Sequence, residues 1–500
     1  MIAVPLVNQS RKFSDRVAVI DHLGRHTYAS IRRSALHLHT FLLPEGEADL
    51  HQSRVAFLVP PDFRYVVSQW AIWLAGGVTV PLCPQHPVAE WEYALGAVRV
   101  SQVIVSGEFI EQMSPVADQM GIRIICLDEL KLGRDGDIAD GNIGESDLSR
   151  NANILFTSGT TNRPKGVVTT HGNLQAQIET LVKAWDWRKE DHTLNVLPLH
   201  HTHGIVNVLC CALWSGATCE MLPKFDACQV WERLSSGEVN VFMAVPTVYG
   251  RLIGDYEQVS QKEQAQRSRS LREFRLMVSG SAALPVPVFE KWKEISGHDL
   301  LERYGMTEIG MALANPYSGE RRPGTVGQAL PSVETRVVDG DGRDVEPGES
   351  GELWVRGSMV FKEYFDQPEE TAKSFHESWF KTGDVVCVED GYYRIMGRQS
   401  VDIIKSGGYK ISALEIEAVL RRHPAIADCA VVGVEDPEWG ERVSGALILR
   451  KGQNLSMVEL KEWAKEHLAH YKIPSQIQIV VDLPRNVLGK VLKPKVKELF

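Results

Sequence analysis

The chain has 500 residues, 44% of them hydrophobic and 24% charged, with a formal net charge of −10 and a pI near 5.9. That length is too great for one ordinary core and predicts two to four domains or subdomains, while the acidic excess argues against nucleic acid or an anionic membrane as a partner and reads as solubility. No stretch reaches the roughly 18–20 uncharged apolar residues that span a bilayer. The N-terminus has neither a basic segment followed by a long apolar run nor an Arg/Ser-rich amphipathic pattern, so the expected location is cytoplasmic, or mitochondrial after removal of a presequence. None of the eight cysteines lies in a CxxC pair or a Cys/His cluster of zinc-finger spacing. Free thiols are expected, with Cys210 and Cys211 inside the apolar run 206–213 as core residues.

In chain order, residues 54–59 read as a buried strand, 61–74 as a helix closed by Gly76-Gly77, and 78–82 as another strand. Strands follow at 103–106 and 124–127, then at 241–245 and 276–279. This alternation predicts an α/β chain with mostly parallel sheets covered by helices. The acidic, Gly-rich residues 132–149 read as a surface loop. From about 334 short strands alternate with turn signals, Asp339-Gly340, Pro347-Gly348 and Asp390-Gly391, as in a β-rich subdomain. Beyond 398 a helix at 414–421, strands at 426–434 and 443–449, and a helix at 457–467 predict a small α+β C-terminal domain. The expected division is 1–397, with the β-rich part at about 330–397, a hinge at 398–400, and a lid at 401–500.

The most informative segment is Thr157-Ser158-Gly159-Thr160-Thr161-Asn162-Arg163-Pro164-Lys165-Gly166, which follows the strand-like 154–156. Glycines admit backbone N–H groups, hydroxyls donate, and a lysine adds charge, which together suit a polyphosphate. The pattern does not fit GxxxxGK[ST], and taken alone a solvated turn explains it as well.

Other motifs follow in order: Glu302-Arg303-Tyr304-Gly305-Met306-Thr307-Glu308, Lys381-Thr382-Gly383-Asp384, Gly397-Arg398, Gly407-Gly408-Tyr409-Lys410-Ile411 and Pro484-Arg485-Asn486-Val487-Leu488-Gly489-Lys490. Over essentially its whole length the chain thereby resembles the acyl-adenylate-forming enzymes. The resemblance implies that a carboxylate is activated with ATP and Mg²⁺ and passed to coenzyme A, with small molecules as the only partners. It assigns Thr157, Ser158, Gly159, Thr160, Thr161 and Lys165 to the phosphates, Thr307 to the α-phosphate and Glu308 to the metal. The Ser279-Gly280-Ser281 turn and Glu302–Met306 would line the nucleotide, with Tyr304 on the adenine. Asp384 would hold the ribose with Arg398 nearby. Lys490 would bridge α-phosphate and carboxylate, against a plain reading of Lys490, Lys493, Lys495 and Lys497 as a solvated tail. Similar enzymes rotate the C-terminal domain between half-reactions, which implies a hinge at Gln399-Ser400 and a pantetheine path at Ser406, Gly407, Gly408 and Tyr409. Two departures stand out: Arg398 lies one residue further from Gly407 than in many relatives, and Ser400 stands where Asp or Lys is frequent.

Arg251, Arg303 and the run His200-His201-Thr202-His203 stand at expected acyl-pocket positions. A guanidinium can hold a carboxylate through two hydrogen bonds. With Arg322-Pro323-Gly324-Thr325-Val326-Gly327 and Val401-Asp402-Ile403-Ile404-Lys405, this set resembles the malonyl-CoA synthetases and implies malonate, with methylmalonate as a second acid. The bland alternatives are Arg251 on a helix surface, Arg303 paired with Glu302 or Glu308, His203 as a packed core residue, and His201 as a pocket-shaping group. They correspond to a ligase for a short or aromatic monocarboxylate, with a luciferase-like oxygenase or an inactive nucleotide binder more remote.

Overall fold

The computed structural model describes residues 2–130, 132, 146–157, 164–406, 409–437, 439–485 and 489–500. The expected loop at 132–149 falls largely outside them. Two large sheets organise the first two-thirds of the chain. One has seven strands in the order Glu363–Tyr364, Lys165–Thr170, Asn151–Thr157, Val78–Pro81, Arg54–Leu58, Gln102–Val105, Arg123–Cys126. The other has nine: Gln328–Ala329, Gly310–Ala314, Leu301–Met306, Leu276–Gly280, Val241–Ala244, His192–Asn195, Thr218–Met221, Val17–Asp21, Gly24–Thr27. The inner pairings are parallel, as helix-covered α/β sheets favour, and the edges are antiparallel except at Arg123–Cys126, which pairs parallel to Gln102–Val105.

The strands expected from apolar runs form to within a residue or so. The helix expected from 61 begins at Phe63, because the Asp62 side chain accepts from the Arg64 N–H at 2.8 Å and caps it. Every residue of Phe63–Leu74 except Arg64 is buried. A helix apolar all round has no solvent face to present. It packs into one core with the helix Tyr28–Leu42 and residues of both large sheets, among them Val55, Leu155, Met243 and Leu301. Cys210 and Cys211 belong to that core.

The β-rich part is an antiparallel sheet of Glu334–Val338, Ser350–Arg356, Phe375–His376, Trp379–Glu389 and Tyr392–Arg398. The C-terminal sheet starts at Ile403–Ser406 and continues through Tyr409–Ser412, Ile426–Asp436, Gly440–Leu449 and Gln476–Ile479. Helices Ala413–Leu420 and Met457–Lys465 close a separate core around Ile416, Val431, Leu447 and Leu460. Among the described residues no helix is long and apolar enough to cross a membrane.

Candidate active site

The strand Leu301–Met306 separates two polar clusters, because successive side chains of a strand point to opposite faces. Arg303 stands on one face. Its register partner is Gly280 on the neighbouring strand, where an added Cβ would lie 2.6 Å from the guanidinium carbon. Glycine at 280 is therefore what makes room for Arg303. The arginine is 3% exposed, and its Nε and Nη2 have no hydrogen-bond partner among the described residues. Burial lowers its pKa to about 9, against the opposing charge of Glu302. Glu302 is itself pushed up to about 8 by burial, while its Oε1 accepts from the Leu284 N–H at 2.9 Å. Arg303 thus has no close ion pair with Glu302 or Glu308 among the described contacts.

His203 faces this cluster from the first turn of a wide, π-type helix, His203–Cys210, a geometry frequent at functional sites. Its Nδ1 is 3.2 Å from Ser281 Oγ and its Nε2 is unpartnered among the described residues. Burial first, and then the Arg303 charge, hold the ring neutral with a pKa well below the usual value. Ser281 sits at φ +69°, a strained region for a non-glycine residue. The buried Ser279 hydroxyl also lacks a described partner. His201, whose pKa burial lowers to about 4, packs against His200 with 4.4 Å between ring centroids and the planes tilted by 50°. Unpaired buried guanidinium donors are costly, and an anion accepting from Arg303 would remove that cost, with His203 Nε2 able to join in the tautomer whose Nδ1 accepts from Ser281.

On the other face the groups around Tyr304 are already paired, although Glu302 Oε2 lacks a partner among the described residues. Tyr304 donates to Asp384 Oδ2 at 2.6 Å and Arg398 Nε donates to Oδ1 at 2.9 Å. Asp384 and Arg398 are direct partners in an antiparallel ladder, and the Asp384 N–H is fixed by the Thr382 hydroxyl at 3.1 Å. Further along, Tyr364 donates to Glu308 Oε1 at 2.9 Å, and burial raises the Glu308 pKa. The Lys165 ammonium lies 4.9 Å from the centroid of the same Tyr364 ring and pairs with Glu370 at 2.8 Å. Thr157 and Lys165 face each other across the mouth of a hairpin. Ser158, Gly159, Thr160 and Thr161 lie outside the described residues, as do Gly407 and Gly408.

Lys490 is carried by a loop closed by a bridge between Arg485 and Val491 and by Leu492 N–H donating to Pro484 O at 2.8 Å. Arg485 Nη1 donates to Gly489 O at 2.7 Å. Gly489 lies against Thr247: a Cβ built on it would be 3.4 Å from the Thr247 hydroxyl. Thr247 is one turn before Arg251 on the helix Pro246–Tyr256, so the Lys490 loop lies over the start of the helix that carries Arg251. Arg251 itself is exposed, with its guanidinium 5.8 Å from the Phe225 centroid. No described contact joins it to Arg303.

Thr307 adjoins Glu308 at the end of the strand, and Gly305 and Met306 carry the strand out to it. Ser406 pairs in register with Tyr409, which is exposed and stacks on Tyr471 at 4.4 Å. At the expected hinge Gln399 N–H donates to Gly383 O at 2.9 Å, and Asp402, not Ser400, holds the turn by accepting from the Arg398 N–H at 3.1 Å. Lys493 corrects the reading of the C-terminal lysines as solvated charge: it is buried and paired with Glu417 and, at 3.5 Å, Asp402. Sequence reasoning missed Tyr364 and Glu370, which belong to no motif and enter through a short edge strand and the helix after it. It named Arg485 only as part of a motif.

An AMP-binding enzyme family model matches residues 6–365, and a model of the AMP-binding enzyme C-terminal domain matches 415–490. The malonate–CoA ligase ACSF3, mitochondrial, of Bos taurus is 48% identical across 98% of this chain and 89% of its own length. ATP-bound MatB from Rhodopseudomonas palustris superposes with a TM-score of 0.89 at 30% identity, covering 100% of this chain and 99% of that one. Apo MatB from the same organism superposes with a TM-score of 0.79 at 30% identity over 99% of both chains.

Proposed function

The chain belongs to the AMP-binding enzyme family, and from that premise we propose that this acid–CoA ligase couples malonate to coenzyme A through a malonyl-adenylate, with methylmalonate as a second substrate. The observation that carries the choice of acid is the buried Arg303 guanidinium with two unpartnered nitrogens. A monocarboxylate presents only its reacting carboxylate to the enzyme. Malonate brings a second one, which needs a cation once it leaves water. The malonate-ligase name of the bovine relative supports the same reading. A mitochondrial location is proposed on that relative's designation.

In the first half-reaction a malonate oxygen attacks the α-phosphorus of ATP, a new P–O bond forms, and the bond to pyrophosphate breaks. Arg303 and neutral His203 hold the distal carboxylate, and the exposed Arg251, on the helix under the Lys490 loop, would supply a second guanidinium. The reacting carboxylate is then left facing the nucleotide. Asp384, fixed by Tyr304 and Arg398, accepts from the ribose hydroxyls. Lys165 exchanges Glu370 for the β- and γ-phosphates, aided by Thr157 and the hydroxyls that follow it, and Thr307 contacts the α-phosphate. Lys490 bridges the two anions, which otherwise repel. Glu308, a buried carboxylate oriented by Tyr364, fits a hard cation that takes oxygen ligands, and Mg²⁺ held there would neutralise phosphate charge.

In the second half-reaction the CoA sulfur attacks the adenylate carbonyl carbon, the C–S bond forms, the C–O bond to AMP breaks with its electron pair going to the phosphate, and the thiol proton is released to solvent. The lid, residues 401–500, turns about the 398–400 hinge, withdrawing Lys490 and bringing Ser406–Tyr409 to the site. The described arrangement, with Gly489 on Thr247, corresponds to the first half-reaction, and the higher TM-score against ATP-bound than apo MatB supports that assignment.

The test is pyrophosphate release with ATP, Mg²⁺ and CoA, comparing malonate, methylmalonate, acetate, octanoate and benzoate at equal concentration. Malonate should exceed the monocarboxylates by more than the roughly tenfold a single methylene can supply. Dominance by octanoate or benzoate contradicts the reading.

A further inference from the structure

One polar cluster has no part in this chemistry. Cys83 follows the strand Val78–Pro81, His86 stands two residues before the helix Val88–Ala97, and His200 precedes the His203 helix. One ligand atom from each lies within 4.8 Å of the others. His200 is 9% exposed and its Nε2 has no hydrogen-bond partner among the described residues. Glu90, one turn into the helix, engages His86 Nδ1 at 2.9 Å. That contact leaves Nε2 as the nitrogen free to bind, in the carboxylate–imidazole arrangement that orients metal ligands. Cys83 Sγ is held only weakly, donating to Gln85 Oε1 at 3.2 Å.

We propose that Cys83, His86 and His200 form a binding site for one borderline-soft divalent cation, Zn²⁺ in the first instance, separate from the Mg²⁺ position at Glu308. One thiolate and two imidazoles with an open fourth position make a zinc-type donor set, and hard Mg²⁺ prefers oxygen. Tetrahedral bonds of zinc to sulfur and nitrogen put ligand atoms roughly 3.3–3.8 Å apart. The cluster therefore needs to close by at most about 1.5 Å on binding, which the quarter-exposed His86 side chain can accommodate. Both imidazoles bind as neutral bases: burial already holds His200 well below its usual pKa. The Cys83 thiol, raised by burial to about 11, releases its proton to solvent as the S–metal bond forms. A second group, His192, Glu220 and Glu238, has similar spacing but is occupied, since Arg233 pairs with both carboxylates. Because His200 packs against His201, an ion here lies just behind the proposed acyl-pocket wall.

The experiment is a Co²⁺ titration of the metal-stripped full chain in excess Mg²⁺, read by absorption and so independent of ligase activity. One equivalent should produce a thiolate-to-cobalt charge-transfer band with the intense visible bands of tetrahedral Co²⁺, and one equivalent of Zn²⁺ should abolish them. The charge-transfer band should be lost in Cys83→Ser. Affinity should fall at least tenfold in His86→Gln, a change at a partly exposed residue that leaves the core intact. Absence of the band in the unmodified chain overturns the site. So does a band of equal strength in Cys83→Ser, or unchanged affinity in His86→Gln.

Discussion

The two faces of the strand Leu301–Met306 treat charge in opposite ways. On the face proposed to take the nucleotide, Asp384 already holds its partners, Tyr304 and Arg398. On the face proposed to take the acid, Arg303 and His203 are also buried but keep unpartnered nitrogens. A prepaired carboxylate is a stable receptor that many nucleotides can use. An unpaired guanidinium is strained until its anion arrives, and that converts desolvation into selectivity, because a ligand lacking the second carboxylate leaves the cost in place. Shape alone would discriminate far less.

Changes that break this contrast should differ in size and in the step they reach. Lys490→Ala removes the group proposed to bridge the two reacting anions, and adenylation should fall by about 10²–10³-fold, the scale of losing one aimed charge-stabilising donor. Thioester formation from synthetic malonyl-adenylate should persist, and single-turnover assays of the two half-reactions separate them. Arg303→Met should weaken malonate by about 10²-fold through the loss of charge-assisted hydrogen bonds, with ATP affinity unchanged. Its thermal midpoint without ligand should not fall, since a buried unpaired charge is removed. Asp384→Asn should do the converse, raising the KM for ATP by about tenfold and leaving malonate discrimination intact. Steady-state kinetics in each substrate distinguish the pair.

The smallest effect is a pH slope. Glu302 has its folded pKa raised from 4.5 to about 8 by burial. The folded state therefore holds the proton more tightly than the unfolded chain. This contribution to stability is complete below about pH 4.5 and is lost as pH rises through 8. The thermal midpoint of the free protein should carry that decline between pH 5 and 8, and Glu302→Gln should flatten it.

Much of this was legible in the sequence. Apolar runs such as 54–58 and 241–244 announce buried strands because a sheet covered on both faces admits little else. The motifs bring Tyr304, Asp384 and Arg398 to one place because each sits on or beside a strand whose register holds it. What the sequence did not disclose depends on long-range packing. Tyr364 and Glu370 reach Glu308 and Lys165 from segments with no motif of their own. Lys493 looks like its solvated neighbours Lys495 and Lys497, yet a buried Glu417 pairs with it. Asp402 holds the turn expected at Ser400, which no local pattern distinguishes. Most of all, Arg303 beside Glu302 suggests a sequence-local ion pair, whereas alternation along the strand turns them to opposite faces.

The most direct test of the central claim is the ratio of kcat/KM for malonate over propionate, which replaces the second carboxylate by a methyl group, in the unmodified chain and in Arg303→Met. The account predicts a ratio of at least about 10³ for the former, as for sites whose buried polar groups a wrong substrate leaves unpaired, collapsing toward unity in the variant. A large ratio that survives Arg303→Met would contradict it and move recognition of the second carboxylate away from Arg303.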